Sequence, residues 1–219
     1  IDAGKQLNVA LNPDFGQVES DELVVNFDSS ETFYSDKRPF FSENHSLFDV
    51  KGYMFFYVIN TRRIGAAPDY DCTVYSESVR NLCESSQVGI SDIDYAVRYT
   101  QQNESLDFGF LGASEADEEF SQGRDFYSLR LRKAEKKFSI GYLTTYTKRP
   151  VLDREANVNS VDIIYRPKDT LRYDLIFINS KVGDHLVEKD SGNAFGFRMT
   201  SSPTKARYHD LGIVYFDEN

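Results

Sequence analysis

Carboxylates and cations crowd the first third of the sequence. Asp14, Glu19, Asp21, Asp28, Glu31, Asp36 and Glu43 fall close to Lys37, Arg38, Arg62 and Arg63, with Phe15, Phe33, Phe40 and Phe41 between them. Such residues support three kinds of chemistry. Charges held away from water must pair and hydrogen-bond, because an unpartnered buried charge costs several kcal/mol. The block would then be an ion-pair network with Asp14, Glu19, Asp21, Glu31, Lys37, Arg38, Glu43, Arg62 and Arg63 as members. The same carboxylates and arginines, with nearby tyrosines, could bind a glycan or another polar solute. Finally, Glu31 and Glu43 could act as acid and base in glycoside hydrolysis, given a suitable separation.

The other motifs narrow these choices. Asp14, Glu19 and Asp21 lack the spacing of an EF-hand loop. His45, His185 and His209 stand singly and there is no CxxC pair, so neither a metal nor a cofactor is expected. Nucleophile elbow, phosphate loop and HExxH are all missing. Gly109 to Ser114 is Gly-rich, but the Lys and helix of a phosphate loop do not follow. The expectation is a protein without enzymatic activity, whose acidic block serves mainly as an internal network. A ligand-binding role and a glycosidase are the alternatives.

The elements that must position these groups are strands. Ile93 to Thr100, Leu106 to Leu111 and Phe138 to Tyr146 alternate apolar or aromatic residues with small or charged ones, the pattern of a sheet with one greasy face. Val161 to Arg166, Leu171 to Ile178, Phe195 to Thr200 and Leu211 to Phe216 continue it. Turn residues between them, and no helical period, predict an antiparallel up-and-down meander. Tight connections are expected after Arg98, Lys133 and Tyr165. Longer polar loops are expected over 114–123, 148–158 and 181–193, a sorting of loop lengths typical of outer-membrane barrels.

At 219 residues the chain can form one β domain with a substantial core. We divide that single domain, 1–219, into a charged and aromatic segment over 1–65, a cysteine-bracketed loop over 66–91 and a strand meander over 92–219. The net charge of -10 argues against nucleic acid, which requires a basic face. The longest apolar run, Tyr53 to Ile59, is far too short for a membrane helix. No basic and apolar leader follows Ile1, so any export signal is expected to have been removed or to lie outside this sequence. Cys72 and Cys83 bracket a polar stretch, and a disulfide closing a surface loop fits their spacing, with two free thiols as the other reading.

Alternation alone leaves two orientations open. In a soluble barrel or sandwich Ile93, Tyr95, Val97, Phe108, Phe110, Ile140 and Tyr142 would point into a dry core. In a membrane barrel they would meet lipid, while Asp94, Arg98, Asp107, Ser139, Thr145, Asp162, Arg172, Asp174 and Arg198 lined a wet interior.

Three runs bear on that choice: Asn12-Pro13-Asp14-Phe15-Gly16-Gln17-Val18-Glu19 through Asp21, then Glu31, Phe33 and Lys37 to Glu43, then Thr61-Arg62-Arg63-Ile64-Gly65. In order and spacing they resemble the signature of an uncharacterised family of bacterial outer-membrane β-barrels, in which a carbohydrate-binding-like domain often precedes the barrel. The resemblance is specific over about residues 8–65 and generic beyond. It implies an outer-membrane type all-β barrel, complete or partial, with a charged interior. Lipid is then the expected partner, with a glycan or other polar solute as a further one. It also implies an extracytoplasmic location, and a chain that is a fragment or a reduced member of a longer barrel.

Overall fold

The computed structural model describes residues 4–14, 36–50, 57–104, 106–184, 187–204 and 207–217. Of the candidate residues, Glu19, Asp21 and Glu31 lie outside these, as do Asp28 and His185. The protein is all-β. Its nine strands are β1 (Lys5–Leu11), β2 (Ile93–Gln101), β3 (Asp107–Glu115), β4 (Asp125–Ala134), β5 (Phe138–Arg149), β6 (Arg154–Lys168), β7 (Leu171–Asp184), β8 (Val187–Thr204) and β9 (Arg207–Phe216). They form one sheet in sequence order, each antiparallel to the next. The described residues contain no β1–β9 pair, so the sheet is open; alternation over nine strands leaves β1 and β9 running the same way.

Two elements escape the periodicity reading. β1 is short and separated from β2 by the whole segment 12–92, and β4 alternates Leu129 and Leu131 with Arg130 and Arg132, so arginine takes every second position over 129–132. The expected sorting of loops by length also fails. β5 and β6 pair out to Arg149↔Arg154 and β7 and β8 out to Asp184↔Val187, so the polar stretches 148–158 and 181–193 are mostly strand. Polar side chains there extend long hairpins rather than form loops. Of the three loops expected to be long, only the connection over 116–124 is.

The segment between β1 and β2 packs on one face of the sheet. It carries α1 (Pro39–Ser42), α2 (His45–Phe48) and α3 (Glu77–Ser85). Pro39 sits in the first turn of α1, where its missing N–H costs nothing. Phe41, Leu47, Phe48, Val50 and Ile64 from this segment bury against Ala96, Leu111, Ala113, Leu143 and Ile176 of the strands. Gly109 makes the approach close. A Cβ on Gly109 would lie 2.7 Å from the Phe48 ring and 2.9 Å from the Leu47 side chain, nearer than packed atoms tolerate. Cys72 and Cys83 form a disulfide with Cα atoms 5.8 Å apart; the bracketed stretch is largely helix α3 rather than loop.

The two faces of the sheet have opposite character. The face under the segment is charged and buried: Arg98, Asp107, Glu115, Arg124, Ser128, Arg130, Ser139, Ser160 and Asp162 are all less than a tenth exposed. The other face is apolar and uncovered, with Phe138, Ile140, Val161, Tyr165, Phe177, Ile213 and Tyr215 exposed. Two residues depart from the predicted assignment. A bulge between Ile93 and Tyr95 turns Ile93 to the covered face, where it is buried, and leaves Asp94 exposed rather than lining the interior.

Candidate functional site

The covered face is a set of arginine–carboxylate pairs built across neighbouring strands. Arg130 on β4 reaches over Gly141 on β5 to Asp162 on β6. It grips both Asp162 oxygens, its Nη1 on Oδ1 and its Nη2 3.1 Å from Oδ2, while its Nε donates to the Leu47 carbonyl at 3.1 Å. Gly141 is required here, because a Cβ would fall 2.5 Å from both Nη atoms. Arg132 donates twice to Asp107 Oδ2, at 3.0 and 2.8 Å. Arg172 holds Asp174 within β7, and Arg198 on β8 forms a bidentate pair with Asp210 on β9 at 2.9 and 2.6 Å. Alternation puts each of these side chains on one face, and register sets the partners opposite or diagonal.

Other pairs tie the packed segment to the wall. Arg98 donates from Nη2 to Glu43 Oε2 at 2.7 Å and from Nη1 to the Phe40 carbonyl at 2.6 Å, and its Nη1 also meets the Glu43 carbonyl. Hydrogen bonds from Gln6 and Arg98 hold the Glu43 carboxyl below its usual range. Asn44 donates to Gln6 Oε1 at 2.5 Å. Within the segment, Arg38 clasps Asp36 at 3.0 and 2.7 Å, donates to the carbonyls of Thr61 and Ile64, and lies over the Phe41 ring.

A third group stands at the β4-start end of the sheet. Glu115 accepts from Arg124 at 2.5 and 2.9 Å and from the Gly65 N–H at 2.7 Å. Asp69 accepts from Arg149 at 2.8 and 2.6 Å. Arg149, with Arg124 and Arg63 adding to its field, keeps the Asp69 carboxyl below the usual range.

The predicted site residues therefore divide. Arg38 and Glu43 enter the network: Arg38 pairs with Asp36 within the segment, and Glu43 reaches Arg98 on the wall. Arg62 and Arg63 occupy a 3₁₀ turn over Thr61–Arg63, with Arg63 bordering a cavity described below. Lys37 is exposed, and Asp14 lies exposed just past β1. Glu19, Asp21 and Glu31, the block's other members, lie outside the described residues. Sequence reasoning named Asp36 in the block without making it a network member, and missed Asp69, Glu115, Arg124, Arg130, Arg132 and Arg149. A signal existed for some of them: Arg130 and Arg132 alternate with leucines, a pattern that places two cations on one strand face.

With this arrangement in view, the sequence matches over residues 4–161 the family described as a domain of unknown function, DUF5916. The chain belongs to that family. The match runs from β1 to Val161 in β6, so the family signal extends well past the 8–65 block and includes Arg98, Glu115, Arg124 and Arg130. No curated protein matches the chain. Among the described residues no three His, Cys, Asp or Glu side chains gather as a metal site, and no helix is long and apolar enough to cross a membrane.

Two cavities border the charged face. One of about 220 Å³ lies beside Arg130, Arg132, Asp162, Arg172 and Asp174. The other, about 210 Å³, is lined by Asn60, Arg63, Arg124, Phe126, Thr147 and Arg149.

Proposed function

We propose that this chain is the wall and inner packing of an outer-membrane type β-barrel in a bacterium. It has no enzymatic activity, and its polar, charged interior serves a structural or solute-transport role. One observation carries the reading: the buried face of the sheet is the charged one and the exposed face is apolar. A protein in plain water gains most from the reverse, since each large apolar side chain left exposed forgoes about 1.5–3 kcal/mol of burial. Lipid removes that penalty, and a solvated interior accepts the arginine–carboxylate pairs. Aromatic residues toward the strand ends, such as Tyr165 and Tyr173, stacked with centroids 6.3 Å apart, suit a membrane interface.

The test is solubility and lipid contact. The chain should require detergent to stay monodisperse, and spin labels at Ile140, Val161 and Ile213 should be relaxed by lipid-soluble oxygen in liposomes. A monodisperse sample without detergent, with those labels relaxed by a water-soluble reagent instead, would replace the membrane reading with a β domain that binds its ligands from solution.

A further inference from the structure

The uncovered face is apolar only within a band, and the band has two polar edges. On β1, β2, β4 and β6 to β9 three successive outward positions are apolar or aromatic, with Val97, Leu129, Ile163 and Ile213 as the middle ones on β2, β4, β6 and β9. At the end where β7 meets β8 the face turns polar at Asn159, Asn179 and Asn193, which stand opposite one another beside the exposed Val161, Phe177 and Phe195. At the other end the next outward residues are Lys5, Gln101, Lys133 and His209 on β1, β2, β4 and β9. Tyrosine hydroxyls leave the band toward the nearer edge. Tyr142 donates to Asn159 Oδ1 at 2.6 Å and Tyr99 to Gln101 Oε1 at 3.1 Å, in opposite directions along the sheet. The amide row is also bonded along itself, Asn179 donating to Asn193 Oδ1 at 2.9 Å and Asn193 to Asp217 Oδ2 at 3.3 Å.

The band does not follow the strand register. Pairing puts Val97 level with Tyr127, Asn157, Lys181 and Ser191, so the middle of the band on β2 is level with polar residues on β6 to β8. On β6 the middle lies at Ile163, six residues beyond Asn157, and from there it stays level through Leu175 and Phe197 to Ile213. Six residues are about 20 Å of strand, set against about 34 Å across the sheet from β2 to β9, a mean inclination of about 30°. Strands of membrane barrels tilt by about 35–45°. A protein partner has no reason to keep one band width while crossing the register; a bilayer imposes its own plane on tilted strands.

We infer that the bilayer covers this face obliquely, along the band, and that its polar headgroups meet the row Asn159, Asn179, Asn193 and Asp217. Asn157, Lys181 and Ser191, beyond that row, stand in water, which accounts for the polar stretches that extend the long hairpins. Hydrocarbon suits Ile163 and Ile213, while headgroup oxygens and hydroxyls suit amides with two N–H each and tyrosines with an apolar body and a polar tip. The inference rests on the membrane reading and adds where the lipid stops.

The experiment measures depth. With Cys72 and Cys83 joined, an introduced cysteine is the only free thiol, so single nitroxides at Val97, Ile163, Ile213, Asn179 and Ser191 are read in phosphatidylcholine liposomes by collision with oxygen and with a water-soluble nickel chelate. Oxygen should dominate equally at Val97, Ile163 and Ile213, the two rates should approach each other at Asn179, and nickel should dominate at Ser191. A Ser191 label as deep as the one at Val97, its level partner, would overturn the inference and leave the membrane reading standing. Nickel dominating at all five sites would remove both. Asn179→Leu combined with Asn193→Leu extends the apolar band by one row and should shift the Ser191 label toward oxygen; no shift in the folded variant would deny the row its part in setting the edge and overturn the inference. Circular dichroism checks the fold, and if the double variant does not fold, the five-label depth series decides.

Discussion

Arg130→Met gives the sharpest test of the charged face. The wild-type guanidinium is 2% exposed and the Asp162 side chain 12%, so the variant strands a carboxylate that water barely reaches and removes the donor to the Leu47 carbonyl. Breaking a buried pair by deleting one partner costs about 3–5 kcal/mol. With a urea slope of about 3 kcal/mol per M, the unfolding midpoint should fall by about 1 to 1.7 M, followed by far-UV circular dichroism in one fixed detergent or buffer. Combining Arg130→Met with Asp162→Leu removes the stranded charge as well. It should recover most of the loss, with a residual of about 1–3 kcal/mol for the Leu47 carbonyl. Gly141→Ala adds a third arm: its Cβ, 2.5 Å from the guanidinium nitrogens, should be costly in the wild type and tolerated in the double variant. A single-variant cost below about 1 kcal/mol would mean that the neighbouring 220 Å³ cleft hydrates Asp162, and the argument from burial would fail. So would strict additivity of the two substitutions, which denies the coupling that contact requires.

Other expectations concern the packed segment. Leu47→Ala, at a fully buried position against Gly109, should destabilise by about 2–5 kcal/mol in the same urea assay. Reducing Cys72–Cys83 frees a loop of sequence separation 11, and about 3 kcal/mol of stability should be lost by the chain-entropy argument; protease sensitivity should rise first around α3. Glu43 and Asp69 both have depressed folded-state values. Their contribution is therefore fully present above the ordinary values of 4.5 and 3.8 and lost as pH falls through the lower folded ones. Hydrogen-exchange protection of residues 40–48 and 64–69, taken relative to the intrinsic exchange rate at each pH, should be unchanged from pH 7 to 5 and should fall below about pH 4.

Period-two alternation was legible because side-chain direction in a strand is a local property. It marked β2, β3 and β5 to β9, the antiparallel order and the polar set Arg98, Asp107, Ser139 and Asp162. It missed β4, where arginines sit on the covered face and imitate a solvated segment. It misread 148–158 and 181–193 as loops because polarity in a long hairpin looks the same as polarity in a turn. The 12–65 block was conspicuous as a signature, and within the described residues it contributes Arg38, paired with Asp36, and Glu43, paired with Arg98; the wall's other arginines take their carboxylates from Asp69, Asp107, Glu115, Asp162, Asp174 and Asp210, which lie outside it.

Seven of the nine strands, their antiparallel succession and the disulfide are set within short stretches of chain, so the sequence by itself determined them; β1, β4 and the strand ends were left to the tertiary structure. Which face is buried depends on where the 36–91 segment lands, a long-range choice that alternation cannot encode. Tertiary structure decided it by seating Leu47 and Phe48 on Gly109 and by letting Arg130 pass over Gly141. Those contacts join residues tens of positions apart, and only they show that the charged face is the covered one and that three arginines, from three separate elements, share a cavity.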